Sequence, residues 1–513
     1  MVPTGNALQR LYTFGSLANT RRGVHFRLKN RLIDAELTGL RRLTIDETEV
    51  PLTRVGIDTG GGVVSAGAVS ATAPVAFPRA RELVIEAEHG KLPPGEHEIE
   101  IAFDCRPFGT LQFRVRDALP EPEPALQHRI PRHTSDDYLD EVVEARRAFA
   151  RDFADAHLDH LFHPSFEPHL ARGHCEHYVG AAQIPVGIAG PLRIEGEHAR
   201  GEFLIPLATT EGTLVASYNR GMQALNRAGG VRCTILGDGM QRAPVFVLAD
   251  ARRARAFAEW VATRFEPIRA AAESTSRVAK LESIQPYVAN RYAYLVFDYA
   301  TGDAAGQNMV TLATSVACSW IVDHFEGIER YFLGSNLEAD KKAAHVNLLR
   351  PRGKRVVAEA TLPRDVLVRR LRVEPETLTA YYHAANIGAT LAGSNNNGGH
   401  SANAVAALFI ATGQDPANVA EASAAVISAD TTSDGALYLS ITIPSLIVAT
   451  YGGGTGLPTQ RECLELLGCF GAGNVRKFAE IAAGVVLAGE LSLASAIAAS
   501  EWVSAHERYG RHR

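Results

Sequence analysis

Three side chains of the kinds that move protons or stabilise charge stand in short polar motifs of this chain. Glu211 lies in the Thr-Thr-Glu-Gly run at 209–212, between a strand-like segment and a helical pattern, and Lys341 lies in the Asp-Lys-Lys run at 340–342. His506 follows a long alanine-rich helical pattern. An acid, a lysine and a histidine together can protonate a substrate and stabilise an oxyanion. Taken singly, each also fits a structural role, as a charge at a helix end or on the surface.

Two glycine-rich runs could contact a phosphate or a ribose. Residues 302–309 (GDAAGQNM) follow an aromatic strand pattern and precede a helical pattern over 309–324, so backbone amides at the helix start could bind an anion. Residues 451–456 (YGGGTG) follow a strand-like run over 441–450. The Gly-x-Gly-x-x-Gly fingerprint of doubly wound dinucleotide folds is not found between a strand and a helix. Each run is therefore either a ligand loop or a structural turn.

The first part of the chain shows the pattern of a strand scaffold. Several runs alternate apolar with polar residues and are bounded by glycine, proline or asparagine, which is typical of antiparallel strands with one buried face. These runs cover 24–28, 83–87, 99–103 and 111–115. The pattern predicts a β-sandwich over residues 1–119, and composition predicts a stiff proline-rich linker over 120–133.

Beyond the linker, helical and strand patterns alternate. Thr134 or Ser135 is expected to cap a helix whose first turn holds Asp136 and Asp137 and whose body runs to about His160. Alanine-rich helices are predicted at 213–228, 378–392, 401–412, 417–428 and 474–506. Strands are predicted at 231–236, 244–248, 291–298 and 437–443. Alternation without a fixed repeat predicts a multidomain α+β protein.

Composition excludes several classes of protein. Of 513 residues, 46% are hydrophobic and 21% are charged, which predicts about two to four folded domains and not a disordered chain. The net charge of −5 gives no reason to expect nucleic acid, and the short basic run at 350–355 marks a local anion contact or a solvated turn. The six cysteines form no Cys-x-x-Cys pair, and the apolar runs are too short, or are broken by Glu490, to span a membrane. We therefore expect a cytoplasmic protein.

A series of motifs, taken in chain order, resembles hydroxymethylglutaryl-CoA reductase over roughly residues 135–511. The Thr-Thr-Glu-Gly form is similar to the class found in eukaryotes and archaea. The motifs are PVGIAGPL at 185–192, ATTEG at 208–212, DGM at 238–240, STSR at 274–277, GDAAGQNM at 302–309, DKK at 340–342, GQDP at 413–416, GGGT at 452–455 and AGELSL at 488–493. In this resemblance the β-rich segment at the start of the chain is an additional domain.

The resemblance implies roles for four catalytic residues. Glu211 matches the general acid, Lys341 the cation that neutralises the carbonyl oxyanion, and Asp415 the carboxylate that lies between them and tunes both. His506 matches the group that protonates the departing CoA thiolate. Together these roles serve the reduction of a thioester to an alcohol through a hemithioacetal and an aldehyde, with hydride from a nicotinamide cofactor.

The binding residues are implied in the same way. The free carboxylate of a hydroxymethylglutaryl group requires a cation. The positions that resemble contacts to this group or to CoA are Arg242, Asp340, Lys342, Asn403, His400, Ser217, Asn219 and Arg220. The positions that resemble the dinucleotide site are Ser276, Arg277, Asp303, Gly306, Asn308, Gly452, Thr455 and Arg511. Arg277 and Arg511 could pair with a 2′-phosphate, which favours NADPH, with NADH as the other possibility.

The resemblance also implies an architecture. A helical entry region and a large α/β substrate domain would cover 134–243 and 334–513, and a ferredoxin-like dinucleotide domain would be inserted over 244–333. The family's active site implies a homodimer or homotetramer with the site at a subunit interface. No metal is implied, because residues 174–177 (His-Cys-Glu-His) match a family motif that binds none.

The implied reaction is the NADPH-dependent reduction of hydroxymethylglutaryl-CoA to mevalonate and CoA by two hydride transfers. Three alternatives stay open: NAD-dependent oxidation of mevalonate, reduction of a related acyl-CoA, and, in a different class, a noncatalytic binding or scaffolding protein. Two departures from the family pattern bear on substrate choice. Gly334-Ser335-Asn336 stands where the family has Ser-Gly-Asn, and the asparagine-rich run at 394–400 is shorter than expected.

Overall fold

The computed structural model of the chain describes residues 8–30, 34–79, 81–120, 129–154 and 156–500. The first part consists of ten strands in two sheets of five. One sheet has the order β1-β2-β8-β5-β6, and the other has β10-β9-β3-β4 with β7 paired to β3. The strands are β1 Ala18–Asn19, β2 Val24–Lys29, β3 Ala35–Ile45, β4 Thr48–Glu49, β5 Val55–Asp58, β6 Val63–Ser65, β7 Val75–Phe77, β8 Glu82–Ala87, β9 Gly95–Arg106 and β10 Gly109–Leu119.

The two sheets enclose one apolar core. In β10, Leu111, Phe113 and Val115 are buried while the residues between them are exposed, as a period of two requires. Phe26 in one sheet and Phe103 in the other belong to the same buried cluster. The predicted N-terminal β-sandwich is therefore confirmed as a fold.

The helix predicted from Thr134 to about His160 is wrong at both ends. Helix α1 covers Asp140–Ala154, and a short helix α2 covers Asp159–Phe162. Asp136 therefore precedes the helix. Its carboxylate accepts from the Tyr138 backbone N–H (3.0 Å) and pairs with Arg172 (2.7 Å). These contacts favour a turn before the helix over a longer helix. The predicted linker lies partly outside the described residues.

The second part of the chain combines ten strands with most of the helices. The strands are β11 Val186–Gly196, β12 Arg200–Ala208, β13 Val231–Arg242, β14 Val245–Val247, β15 Lys280–Ala289, β16 Tyr292–Ala300, β17 Arg330–Phe332, β18 Gly353–Leu362, β19 Val426–Thr431 and β20 Leu437–Leu446. The helices are α3 Leu214–Arg227, α4 Ala251–Ala262, α5 Phe265–Glu273, α6 Gln307–His324, α7 Val346–Leu349, α8 Arg364–Leu371, α9 Pro375–Leu391, α10 Ser401–Thr412, α11 Val419–Ala422, α12 Pro458–Leu466 and α13 Val475–Ala498.

Strand β13 connects two hydrophobic cores. Its first part pairs with β18 in the larger core, and its last residues, from Met240 to Arg242, pair with β16 in the smaller one. The smaller core includes residues of β16 and of helices α4, α5 and α6. It runs mainly from Met240 to Ile321, which agrees in location with the dinucleotide domain predicted over 244–333. The domain boundaries themselves stay predictions.

Helix α13 lies at the centre of the larger core. It is long and apolar enough to cross a membrane, but 83% of its most apolar window is buried within the protein. It packs against α3, β13 and β18, so its apolar surface is used inside the fold. The predicted helix at 474–506 is confirmed up to Ala498, but it ends there, because Ala499 and Ser500 form a turn and Ser500 has φ +59°. Residues 501–506 lie outside the described part of the chain.

The predicted helix at 417–428 is wrong in its second half. Only Val419–Ala422 is α-helical, and Val426–Thr431 forms strand β19, which pairs antiparallel with β20. Ile427 and Ala429 are buried, and their neighbours in the strand are exposed. Pairing at the sheet edge therefore overrides the helical preference of the alanines.

Gly221 in α3 lies against the backbone of α13, and we expect its replacement to destabilise the protein. A Cβ atom at Gly221 would lie 1.9 Å from the Ala488 carbonyl oxygen, so Gly221→Ala must separate the helices. We expect a loss of about 3 kcal/mol in the free energy of unfolding, measured with urea. Gly388→Ala in α9 is the control, because nothing lies within 4 Å of that Cβ. Equal stability of the two variants would contradict this packing argument.

Candidate active site

Lys341 and Asp415 form an ion pair in the second part of the chain, and with the neighbouring Arg242, Asp340 and Lys342 they make up a group of charges that we call the charged cleft. Lys341 Nζ lies 2.7 Å from Asp415 Oδ2, and the two side chains are 41% and 40% exposed. The other oxygen of Asp415 accepts from the Ala417 backbone N–H (3.0 Å) and so caps a short 3₁₀ helix that follows α10. A capped carboxylate has a fixed position, so the ion pair also fixes the position of the lysine ammonium. Two of the predicted catalytic residues are therefore brought together.

Asp340 occupies a different environment from its neighbour Lys341. Its carboxylate lies between Arg242 Nη1 (3.1 Å) and Arg352 Nη2 (2.7 Å). The predicted substrate residues Arg242 and Asp340 thus pair with each other. Lys342 is exposed, and its ammonium donates to Asn336 Oδ1 (3.2 Å) and to the Asp340 carbonyl oxygen (3.1 Å). Arg242 and Lys342 together place two cations beside Lys341.

Ser335, which stands at a departure from the family pattern, faces the backbone. Its hydroxyl donates to the Ala243 carbonyl oxygen (2.5 Å) and accepts from the Leu337 N–H (3.3 Å). The hydroxyl is therefore occupied by the loop itself, and the neighbouring Asn336 is the residue that contacts Lys342.

His400 forms the centre of a second polar cluster, at the start of α10. Asn403 Nδ2 donates to His400 Nδ1 (3.0 Å), which places the imidazole proton on Nε2. His400 Nε2 lies 3.3 Å from the Ser217 hydroxyl, and that hydroxyl donates to Ser492 (3.1 Å). The imidazole also stacks on the ring of Tyr218. The predicted residues Ser217, His400 and Asn403 are therefore brought together from two helices.

Glu490 lies directly behind this cluster. Its carboxylate is buried and accepts from the backbone N–H groups of His400 (2.7 Å) and Gly399 (2.9 Å). Burial raises the pKa of Glu490 to about 7, although these hydrogen bonds favour the ionised form. The loop that presents His400 is therefore held by a carboxyl group that titrates near neutral pH.

We expect Glu490 to make stability depend on pH. Because its pKa is raised above the usual value of 4.5, the folded state binds the extra proton between about pH 4.5 and 7, and stability falls as pH rises through that window. The contribution is about 3 kcal/mol. Urea unfolding of the wild type and of Glu490→Gln at pH 5 and pH 7.5 measures it. The stability difference between the two proteins should change by roughly this amount, and parallel pH profiles would contradict the prediction.

The predicted catalytic residue Glu211 precedes helix α3, and the predicted CoA residues lie on that helix. Glu211 is exposed in the turn before this helix, where its backbone N–H donates to Thr209 Oγ1 (2.9 Å). Asn219 Oδ1 accepts from the Gly190 N–H (3.1 Å), which joins the helix to β11, and Arg220 follows on the same helix. Within the described part of the chain, no hydrogen bond or ion pair joins Glu211 to Lys341 or Asp415. The predicted effect of Asp415 on Glu211 therefore has no direct contact behind it within the described residues.

A glycine-lined cavity of about 410 Å³ adjoins the Lys341–Asp415 pair. Its wall brings the two glycine-rich runs together, and four predicted cofactor residues line it: Gly306, Asn308, Gly452 and Thr455. Gly306 begins α6 with φ +80°, and a Cβ there would lie 2.4 Å from Thr301. A side chain at this position is excluded, so the first amides of α6 stay open to an anion. Asp415 belongs to the same wall, and the cavity therefore meets the charged cleft at this residue.

The other predicted cofactor residues have different surroundings. The Asp303 carboxylate accepts from the Val475 N–H (3.4 Å) and anchors the loop 302–306 to the start of α13. The Ser276 hydroxyl accepts from the Val278 and Ala279 N–H groups (3.1 and 3.2 Å). Arg277 is exposed, and no ion pair to it is found among the described residues. The predicted residues His506 and Arg511 lie outside the described residues.

Four residues of this site were not predicted as site residues. Arg352 and Glu421 form a fully buried ion pair (2.9 Å), and Gln307 in the cavity wall donates to Asp340 Oδ1 (3.3 Å). Glu490 is the fourth. The basic run at 350–355 predicts a local anion contact or a solvated turn, whereas Arg352 is fully buried and pairs with the carboxylates of Asp340 and Glu421. In the sequence, Glu421 and Glu490 each stand as a lone acid in an alanine-rich, apolar run. Such an acid must find a partner when it is buried, so this pattern points to both residues.

Two family models and several known proteins match this chain. The family model described as hydroxymethylglutaryl-coenzyme A reductase matches residues 142–511, and the model described as the N-terminal domain of hydroxymethylglutaryl-CoA reductase matches residues 7–120. The 3-hydroxy-3-methylglutaryl-coenzyme A reductase of Pyrococcus abyssi is 44% identical over 392 residues, which cover 75% of this chain and 96% of that relative. The reductase of the same name from Methanothermobacter thermautotrophicus is 43% identical over 387 residues, with the same coverages of 75% and 96%.

A solved structure shows a similar fold. It is the class II 3-hydroxy-3-methylglutaryl-CoA reductase from Streptococcus pneumoniae, bound to NADPH in open conformations, with a TM-score of 0.54 and 19% identity. The match covers 70% of this chain and 97% of that chain. Fold and site together define an oxidoreductase of mixed α and β architecture. The chain belongs to the hydroxymethylglutaryl-CoA reductase family, which confirms the resemblance carried by its motifs.

Proposed function

We propose that this enzyme reduces hydroxymethylglutaryl-CoA to mevalonate and CoA with two molecules of NADPH. The observation that carries the proposal is the position of Asp415, which lies in the wall of the glycine-lined cavity and 2.7 Å from Lys341 Nζ. The Asp415 carboxylate would therefore be shared by the cavity for the dinucleotide and by the lysine that acts on the carbonyl group. The names and the bound NADPH of the relatives support the same assignment.

The cavity fits a nicotinamide dinucleotide in size and chemistry. A volume of about 410 Å³ lies within the range of pockets for small ligands, and the amides at the start of α6 suit a phosphate group. Gly306, Asn308, Gly452 and Thr455 would hold the cofactor, which supplies hydride when it is bound. Asp415 would mark the end of the cavity at which hydride is delivered.

Lys341 and its neighbours would act on the thioester. Each hydride addition leaves negative charge on the carbonyl oxygen, and the Lys341 ammonium would neutralise this charge from a position fixed by Asp415. Glu211 would donate a proton to the oxygen, and His506 would protonate the CoA thiolate as it leaves. Arg242 and Lys342 would bind the free carboxylate of the substrate, because both bring positive charge to the cleft.

An oligomer would complete this site. Glu211 is not joined to Lys341 or Asp415 by any described contact of one chain, which supports a homodimer or homotetramer whose active site lies between subunits. A solution molar mass of one chain, measured by light scattering on active enzyme, would contradict this part of the proposal. Location in the cytoplasm stays a prediction from the sequence.

Loss of NADPH absorbance on addition of hydroxymethylglutaryl-CoA tests the proposed function. We expect two NADPH to be consumed for each thioester, with release of one CoA thiol. The same assay with NADH, and with mevalonate, CoA and NAD, distinguishes reduction from oxidation. If purified wild-type enzyme consumes neither NADPH nor NADH with this thioester, the proposal fails.

Arg277 is expected to determine the preference between the two dinucleotides. It is exposed beside the predicted cofactor residue Ser276, so its guanidinium is available to a 2′-phosphate. Loss of a charged hydrogen-bonding pair costs roughly 1.5 to 3 kcal/mol, so Arg277→Ala should raise the KM for NADPH about 10- to 100-fold. The KM for NADH should not change. An equal change for both cofactors would assign Arg277 a structural role.

A further inference from the structure

The turn that carries Lys341 has a strained backbone. Lys341 has φ +57°, Ala339 has φ +53° and Asn336 has φ +67°, although none of them is glycine. Residues with a Cβ avoid this left-handed region, so the surrounding structure must hold the turn in place. The direction in which the Lys341 side chain leaves the backbone depends on that conformation.

A buried carboxylate contacts the backbone of Lys341 directly. Glu421 Oε1 accepts from the Lys341 N–H (3.1 Å), while the Lys341 side chain forms the ion pair with Asp415. Glu421 Oε2 accepts from Arg352 Nε (2.9 Å), and both of these side chains are fully buried. The carboxylate therefore connects the backbone of the turn to an immobile guanidinium.

Arg352 and Asn347 extend this connection to the whole turn. Arg352 also donates to Asp340 Oδ1 (2.7 Å) and to the Gln241 carbonyl oxygen in β13 (3.1 Å). Asn347 Nδ2 donates to the Lys342 carbonyl oxygen (3.2 Å) and lies 3.4 Å from Glu421 Oε2. The residues on both sides of Lys341 are thus fixed to the core by buried polar groups.

We propose that Glu421 and Arg352 are positioning residues for Lys341, because their buried ion pair holds the strained turn in the conformation that directs the Lys341 ammonium to Asp415. Neither residue lines the cavity and both side chains are fully buried, so their effect passes through the backbone. The inference rests on the role proposed for Lys341 in catalysis. A shift of about 1 Å in a catalytic group can cost on the order of 100-fold in rate, and a freed turn permits such a shift.

Glu480 provides a matched control in the same protein. It is also fully buried, and its carboxylate accepts from the backbone N–H groups of Glu197 (3.1 Å), His198 (2.9 Å) and Ala199 (2.6 Å). These residues form the turn between β11 and β12, which carries none of the predicted site residues. Glu480→Gln therefore disturbs a buried carboxylate and a turn without disturbing Lys341.

The test compares Glu421→Gln with Glu480→Gln and the wild type. We expect Glu421→Gln to lower kcat about 10- to 100-fold, while the KM values for the thioester and for NADPH change less than about threefold, since the binding groups stay in place. Glu480→Gln should keep the wild-type kcat. Arg352→Lys keeps the charge but cannot bridge both carboxylates, and we expect a smaller decrease of the same kind. Arg352→Lys provides the test of the proposal if Glu421→Gln does not fold.

Hydrogen exchange of a peptide covering 336–344 gives a readout that needs no turnover. We expect faster exchange of the Lys341 amide in Glu421→Gln and unchanged exchange in Glu480→Gln. If the wild type has no reductase activity, the proposed function fails, and this readout still shows whether Glu421 holds the turn. Wild-type kcat in Glu421→Gln, equal losses of kcat in both glutamine variants, or unchanged exchange at 336–344 would each overturn the inference.

Discussion

Replacing Lys341 by methionine is expected to lower kcat by about 1,000-fold, with folding intact. The ammonium is half-exposed and is held by Asp415 at 2.7 Å, so in the proposed reaction it would be in position before the oxyanion charge develops. Removal of a single preorganised donor to an oxyanion costs on the order of 100- to 1,000-fold in kcat, and loss of a full charge belongs at the upper end. The rate of NADPH oxidation with hydroxymethylglutaryl-CoA measures the effect.

Lys280→Met is the matched control for this substitution. Lys280 is also a half-exposed lysine in an ion pair, with its Nζ 3.0 Å from Glu273 Oε2, but it lies at the start of β15, does not line the cavity and has no contact with Asp415 among the described residues. Ion pairs of this exposed kind contribute roughly 0 to 1 kcal/mol to stability, so we expect near wild-type activity. A Lys341→Met enzyme that retains more than about a tenth of the wild-type kcat would contradict the oxyanion role of Lys341.

Asp415→Asn has the second largest expected effect, a decrease in kcat of about 100-fold. Asparagine can still accept from the Ala417 N–H and cap the short helix, so the fold is preserved. The negative charge next to Lys341 is lost, and the ammonium is no longer fixed between the cavity and the cleft. Because Asp415 belongs to the wall of the cavity, we expect the KM for NADPH to change by less than the change in kcat.

A second capping aspartate provides the control. Asp250 begins α4, and its side chain accepts from the Arg253 N–H (2.8 Å), as Asp415 accepts from Ala417. Asp250→Asn keeps a good cap and removes a charge far from Lys341, so kcat should not change. Equal decreases in kcat for Asp415→Asn and Asp250→Asn would show that the charge of Asp415 has no special role.

The patterns of the sequence predict local structure where burial is regular. Leu111, Phe113 and Val115 alternate with polar residues, and they form a strand of a sandwich as expected. The pattern misleads where composition and tertiary contact disagree. Ile427 and Ala429 stand in an alanine-rich segment that favours a helix, but they are buried in strand β19 because β20 offers an edge to pair with.

Short sequence motifs contain many of the candidate site residues. Glycine at 306 and 452 and charge at 341 and 415 are local requirements of a loop, so they are visible in the sequence. The distance between Lys341 and Asp415 is not visible, because these residues are 74 positions apart and only the fold brings them within 2.7 Å. The resemblance predicts that they meet, and the structure adds that Asp415 also lines the glycine-rich cavity.

The sequence alone predicts the β-sandwich, most of the alanine-rich helices and the candidate reactive groups, because these follow from short-range periodicity and from residue chemistry. Only the tertiary structure decided which charges are buried together. Glu421 and Arg352 are separated by 69 residues, and each would be solvated in isolation. Packing removes water from both and pairs them with each other and with the Lys341 turn, so the support of Lys341 is a property of the fold and not of any motif.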